Sequence, residues 1–197
     1  MADMPELKAR ILAEGRNLGS GILKIDSLLN HQLDPVLMQQ VGEEIAARFA
    51  SVKIDRILTA EISGIAPAMM SGLALGVPVV YARKTKPITM SGPVFLETAP
   101  SHTKGGEVNL LVSAEFLHPD EDVLVIDDFL ASGKTMMALL RMVMSAKSRI
   151  AGIAVVVEKT FEGGRAYMES VGISARIEAL ATIISMDDGG IRFRGDV

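Results

Sequence analysis

Short apolar runs alternate along this chain with stretches in which apolar residues recur every three or four positions, the rhythm of strands and amphipathic helices in turn. Near the start, Leu7, Ile11 and Leu12 stand among charges and predict an outer helix over 5–13. The segment 19–30 is apolar at Ile22, Leu23, Ile25, Leu28 and Leu29 behind turn-forming glycines, and reads as a strand or irregular cover. Asp34 followed by Pro35 makes an N-cap and first-turn pair, and Val36, Leu37, Val41, Ile45 and Phe49 continue it at helical spacing. A strand is expected over 54–59, a loop over 61–67 leading into a helix that ends near Gly76, and the next strand over 77–81.

Between 87 and 119 the residues turn more polar, and the alternation over 108–112 predicts a hairpin, so this stretch is expected to form a flexible lid. A strand over 123–126, a helix over 134–146, a strand over 152–157, a helix over 164–171 and a final strand over 173–180 complete the pattern. Strands and helices in this order predict one α/β domain spanning 1–197, with a central, mostly parallel sheet flanked by helices. Residues 1–33 are expected to stand apart as a small hood, joined by the polar C-terminal tail.

Composition narrows what such a domain does. Hydrophobic residues make up 49% and charged residues 22%, which excludes a disordered or fibrous chain. A net charge of −4 without any block of like charge leaves no footprint for nucleic acid or an acidic membrane surface, so anions must be bound locally. The chain has no cysteine, which excludes disulfides and thiolate chemistry and fits a cytoplasmic protein. No apolar run approaches the length of a membrane span. Twelve methionines and a mean hydropathy of +0.33 point to apolar surface of the kind a homo-oligomer covers.

The chemistry concentrates in Val123 to Thr135, VLVIDDFLASGKT. An apolar strand delivers Asp127 and Asp128 to its carboxyl end, and Ala131, Ser132, Gly133, Lys134 and Thr135 then offer backbone N–H groups, hydroxyls and a helix start, a cradle for a phosphate dianion. Acids that accept from diol hydroxyls, a few residues before an anion nest, fit ribose 5-phosphate. The nucleoside triphosphate P-loop shares Gly133-Lys134-Thr135 but needs a glycine where this chain has Asp128. The remaining competitor is an ordinary strand, turn and capped helix.

A second loop, Glu61-Ile62-Ser63-Gly64, repeats an acid, a hydroxyl and a glycine before a helix, and both loops would lie on one edge of a parallel sheet. A ligand with phosphates at two ends could bridge them. Arg83 and Lys84 follow a strand and could neutralise a pyrophosphate, or be solvated surface charge. Lys159 ends another apolar strand, where it could meet a ligand carbonyl or simply water. His31, His102 and His118 have no metal-ligand spacing, no serine lies in a G-x-S-x-G elbow, and the methionines at 136, 137, 142 and 144 look like packing.

Val123 to Thr135 resembles the phosphoribosyl pyrophosphate signature of the type I phosphoribosyltransferases, and Glu61 to Pro67 resembles the pyrophosphate loop of the same fold. The order of elements agrees over essentially the whole chain. The segments GILKIDSLLNHQLDP, GVPVVYARK and VVVEKTF are similar to the bacterial xanthine-specific branch of that family. The resemblance implies that residues 131–135 hold the 5-phosphate, Asp127 and Asp128 the ribose hydroxyls, and Glu61, Ile62, Ser63, Gly64, Arg83 and Lys84 the pyrophosphate. Among these, Asp127, Asp128, Glu61 and Lys84 would carry catalysis. Leu23, Asn30 and Lys159 would contact the purine, with xanthine and phosphoribosyl pyrophosphate as substrates, magnesium accompanying the latter, and a homodimer as the assembly. Adenine or guanine specificity, or a purine-responsive regulator that binds without turnover, are the alternatives. Hypoxanthine–guanine members carry an aspartate general base where this chain has Ala131, and some xanthine-type members read Asn-Gly-Gln-Ala where it has Ser132 to Thr135.

Overall fold

In the computed structural model of the chain, which describes residues 2–100, 106–187 and 190–196, the two rhythms become five helices and ten strands. The N-terminal part holds α1 (Pro5–Glu14), β1 (Arg16–Asn17), β2 (Leu23–Lys24), a π-helical turn at Asp26–Asn30, and α2 (Pro35–Arg48). There follow β3 (Arg56–Ala60), α3 (Ile65–Leu75), β4 (Val79–Ala82), β5 (Val94–Pro100), β6 (Glu107–Ser113) and β7 (Asp122–Leu130). The chain closes with α4 (Lys134–Ser145), β8 (Arg149–Lys159), α5 (Gly164–Ser170), β9 (Ile177–Ser185) and β10 (Arg192–Phe193).

Six strands form the central sheet in the order β10-β9-β8-β7-β3-β4, parallel throughout except for β10. A strand covered on both faces must be apolar on both, and its alternate residues must serve two cores. In β7, Leu124 and Ile126 face α1, α2 and α3, whereas Val123 and Val125 face α4 and the β5–β6 hairpin. Asp34 caps α2 as its sequence predicts, its carboxylate accepting from the N–H groups of Val36 and Leu37 at 3.1 Å each.

Several boundaries differ from the sequence expectation. β7 runs on past Ile126 to Leu130, because β8 continues to pair with it as far as Leu130 opposite Glu158, so both acids lie within the strand and not beyond it. β9 begins at Ile177 rather than 173, since its register with β8 starts at Ile153 opposite Ile177, leaving 173–176 as the return from α5. The segment 19–30 forms only a two-residue strand and a π-helical turn. The tail adds β10, whose Phe193 is fully buried. The helix α1 is firmly docked: Leu7 and Ile11 are buried, and the Met4 N–H donates to the Leu180 carbonyl at 2.6 Å. The predicted hairpin is present as β5–β6, buried at Ala99, Leu110 and Val112, while 101–105 lie outside the described residues, His102 and Gly105 among them. Among the described residues no helix is long and apolar enough to cross a membrane.

From β3 the chain moves to β4 on one side, and β7, β8 and β9 then build outward on the other. β3 and β7 pair only as far as Leu58 opposite Val125, after which β3 stays with β4 and β7 with β8. A crevice therefore opens between their carboxyl ends at the point where the winding reverses, the place where open α/β sheets bind ligands.

Candidate active site

The loops after β3 and β7 flank that crevice. After β3, residues 61–64 turn directly into α3, and the Glu61–Ile62 peptide is cis. The Glu61 N–H donates to Ala82 at 3.0 Å, and its carboxylate accepts the Lys84 N–H at 2.7 Å, so the acid ties the β3 loop to the residues that follow β4. Ile62 is exposed, Ser63 half-buried and Gly64 buried. A Cβ on Gly64 would stand 2.4 Å from Thr59 Oγ1 and 2.9 Å from Asp127 Oδ1, distances that exclude any side chain there. The absence of a Cβ is what lets the first loop lie against the acid of the second.

Asp127 is 6% exposed, and Asp128 beside it is half-buried. Burial pushes the Asp127 carboxyl well above the usual carboxylate range, the adjoining Asp128 carboxylate adds to the rise, and the Lys84 ammonium opposes it. Each acid also turns back on the chain: Asp127 Oδ1 accepts from the Asp128 N–H at 3.0 Å and Asp128 Oδ1 from the Phe129 N–H at 2.9 Å.

Ala131, Ser132 and Gly133 then bend the chain into α4, with Gly133 at φ +78° as its N-cap and Lys134 and Thr135 as its first helical residues. The first N–H groups of a helix have no partner within it and face outward. This loop rests on the start of α5. A Cβ on Gly164 would stand 2.3 Å from the Ala131 carbonyl oxygen and 2.8 Å from the Gly133 nitrogen. Lys134 is exposed and Thr135 half-buried.

The hood arrives from the other side. Asn30 Nδ2 donates to Asp128 Oδ2 at 3.1 Å. Lys159, last residue of β8, has a side chain 12% exposed. Its ammonium donates to the Gly21 carbonyl at 2.8 Å, pairs with Glu162 at 2.5 Å and lies 5.6 Å from the centroid of the Phe129 ring. Leu23 is buried in β2. Asn30, Asp128, Asp127, Gly64, Glu61 and Lys84 are thus linked by direct contacts or charge across one crevice, while Lys159 ties β8 to the hood through Gly21. Arg83 is placed differently: its side chain lines a groove of about 510 Å³ with Arg56, Tyr81 and Thr89, which residues 61–64 and 131–135 do not line.

Residues 35–179 match the phosphoribosyl transferase domain. The chain belongs to the phosphoribosyl transferase family. Among relatives, it is 49% identical over 187 residues to a xanthine phosphoribosyltransferase of Deinococcus deserti, covering 95% of this chain and 96% of that one. It is 47% identical over 191 residues to one of Oceanobacillus iheyensis, covering 97% of each. Solved adenine phosphoribosyltransferases share the fold: that of Thermoanaerobacter pseudethanolicus at TM-score 0.72 and 22% identity, over 89% of this chain and 99% of that one. The enzyme of Giardia lamblia, complexed with 9-deazaadenine, gives a TM-score of 0.74 at 21% identity over 94% of this chain and all of the other.

Four residues of the candidate site are not singled out by the sequence pattern. Thr59 places a fully buried hydroxyl without a hydrogen-bond partner against Gly64, and its polarity within an apolar run was the available signal. Phe129 and Glu162 surround Lys159, and Gly164 abuts the loop; these depend on where β8, α5 and the hood meet, which local pattern does not encode.

Proposed function

We propose that this chain transfers the 5-phosphoribosyl group of phosphoribosyl pyrophosphate to N9 of xanthine, forming xanthosine 5′-monophosphate and pyrophosphate. The observation that carries the reading is the contact of Asn30 with Asp128 at 3.1 Å, with Lys159 anchored beside the same strand end. It sets side chains suited to a base directly against acids suited to a ribose. The names of the full-length relatives support the choice of base.

In this reading Asp127 and Asp128 accept from the ribose hydroxyls, and residues 131–135 present N–H groups and hydroxyls to the 5-phosphate. Glu61, Ile62, Ser63 and Gly64, with Lys84, receive the pyrophosphate, whereas Arg83, which lines a separate groove, takes no part in this reading. Leu23 covers the purine face. Asn30 donates to a 2-oxo group and Lys159 to a 6-oxo group, and since an ammonium has no acceptor to offer, the 6-amino group of adenine is disfavoured. The bond from the anomeric carbon to pyrophosphate breaks, its electron pair leaving with pyrophosphate, as the bond to N9 forms, and the proton that the base gives up passes to solvent before it binds. Ala131 supplies no carboxylate to take that proton, which fits a base that enters already as an anion. Catalysis by this chain is then the placement of charge against an oxocarbenium-like sugar and a departing anion.

Magnesium fits the donor set. Among the described residues no group of three or more His, Cys, Asp or Glu could hold a metal, while a few hard carboxylate oxygens face the crevice. Magnesium favours one or two carboxylates plus substrate phosphates, so Asp127 and Asp128 would face it and the pyrophosphate would hold it; when bound it neutralises the leaving group. The β5–β6 hairpin, bridged to β4 through Arg83 and Leu111, is the lid of this proposal. A second copy of the chain would cover exposed apolar residues such as Met69 and Leu73, one turn apart on α3. Mixing the protein with phosphoribosyl pyrophosphate, magnesium and xanthine should release pyrophosphate and the nucleotide in equal amounts. No pyrophosphate with xanthine or with any other purine removes the enzymatic reading.

A further inference from the structure

Lys159 is more constrained than a residue that merely ends a strand. An ammonium has three N–H donors. One donates to the Gly21 carbonyl at 2.8 Å, and Glu162 stands 2.5 Å from the same nitrogen, so two of the three directions are taken within the protein. The Phe129 ring centroid lies 5.6 Å away. Glu162 belongs to a 3-10 turn at Thr160–Glu162 whose Thr160 hydroxyl donates to the Ile183 carbonyl on β9 at 3.2 Å, so the carboxylate is carried by a fixed support. Gly21, at φ +74°, passes close over this turn: a Cβ there would lie 3.4 Å from the Phe161 ring and 3.5 Å from Glu162 Oε1. The hood, the strand end and the turn therefore meet at a single ammonium.

We propose that Glu162 is the positioning residue of the base pocket: together with the Gly21 carbonyl it holds the Lys159 ammonium so that one N–H remains for an acceptor on the incoming base. The inference rests on the reading of Lys159 as the partner of the 6-oxo group and adds what aims it. A lysine held by a carboxylate and a backbone carbonyl presents its remaining proton in a fixed direction. Without the carboxylate it turns about its flexible stem.

Steady-state kinetics of Glu162→Ala, Glu162→Gln and Lys159→Ala, each varied against both substrates and accompanied by thermal melting, test this. Glu162→Ala should raise KM for xanthine about tenfold while KM for phosphoribosyl pyrophosphate stays within about twofold, as expected when a charged hydrogen-bonding partner is lost from one subsite only. Its Tm should match the parent, and Glu162→Gln, which keeps an acceptor oxygen at the same reach, should recover much of the loss. An unchanged xanthine KM in Glu162→Ala, with a raised one in Lys159→Ala, overturns the positioning role and leaves the base reading standing. An equal rise in both KM values, or a lowered Tm, also overturns it, because general damage would then account for the effect. An unchanged xanthine KM in Lys159→Ala removes the base reading itself.

Discussion

The residue with most at stake is Asp127. Its carboxyl is held up by burial and by Asp128, so over a range above the unfolded value of about 3.9 the folded protein keeps a proton that the unfolded chain has released. The sign follows: this residue favours folding below the unfolded value, and that contribution is lost as pH rises through the folded one. Asp127→Asn removes the cost of ionising a buried group and should melt at a higher temperature than the parent at neutral pH. The same substitution replaces a carboxylate proposed to accept ribose hydroxyls, and KM for phosphoribosyl pyrophosphate should rise about tenfold or more. A variant with lowered Tm would contradict the account of Asp127 as a strained functional acid. Glycines give a second prediction at this scale. Gly164→Ala sets a Cβ 2.3 Å from the Ala131 carbonyl oxygen, a backbone atom that moves only with the whole loop. We expect weaker binding of phosphoribosyl pyrophosphate with little change in binding of the base, measured by titration of each ligand.

At the scale of elements, the sheet is fastened at its amino end by charge and at its outer edge by apolar packing. Arg56 of β3 donates to both oxygens of Glu121, just before β7, at 2.6 and 2.7 Å, and with His118 it holds the Glu121 carboxyl down to about 2 from 4.5. A lowered acid contributes stability that is present above its unfolded value and lost as pH falls toward the folded one. Glu121→Gln should therefore flatten the fall in stability between pH 4.5 and about 2, as read by denaturant midpoints across that range. At the other edge Phe193, from a strand of two residues, is fully buried, and Phe193→Ala should cost about 3–5 kcal/mol by chemical denaturation. These two features mark the limits of local pattern. The continuous apolar run of β7 and the Asp34-Pro35 start of α2 announce themselves because burial on two faces and helix capping are local requirements. The extension of β7 to Leu130, the late start of β9 and the capture of Phe193 are set by which strand lies alongside, a property of distant residues.

At the scale of the whole molecule, a reversal in the winding of the sheet opens a crevice between β3 and β7, and the two loops that carry acids and glycines stand on its rims. That part of the site was legible, since both loops follow apolar runs and open helices. The coupling across it was not: the hydrogen bond from Asn30 to Asp128 joins residues 98 positions apart, and the grip of Gly21 and Glu162 on Lys159 joins the hood to β8. The central claim is that this hood, seated on the ribose acids, reads a 6-oxopurine with a 2-oxo group. Its most direct test is kcat/KM for xanthine, guanine, hypoxanthine and adenine, measured side by side with saturating phosphoribosyl pyrophosphate and magnesium. The account predicts xanthine first and adenine last; adenine turned over as well as xanthine would contradict it.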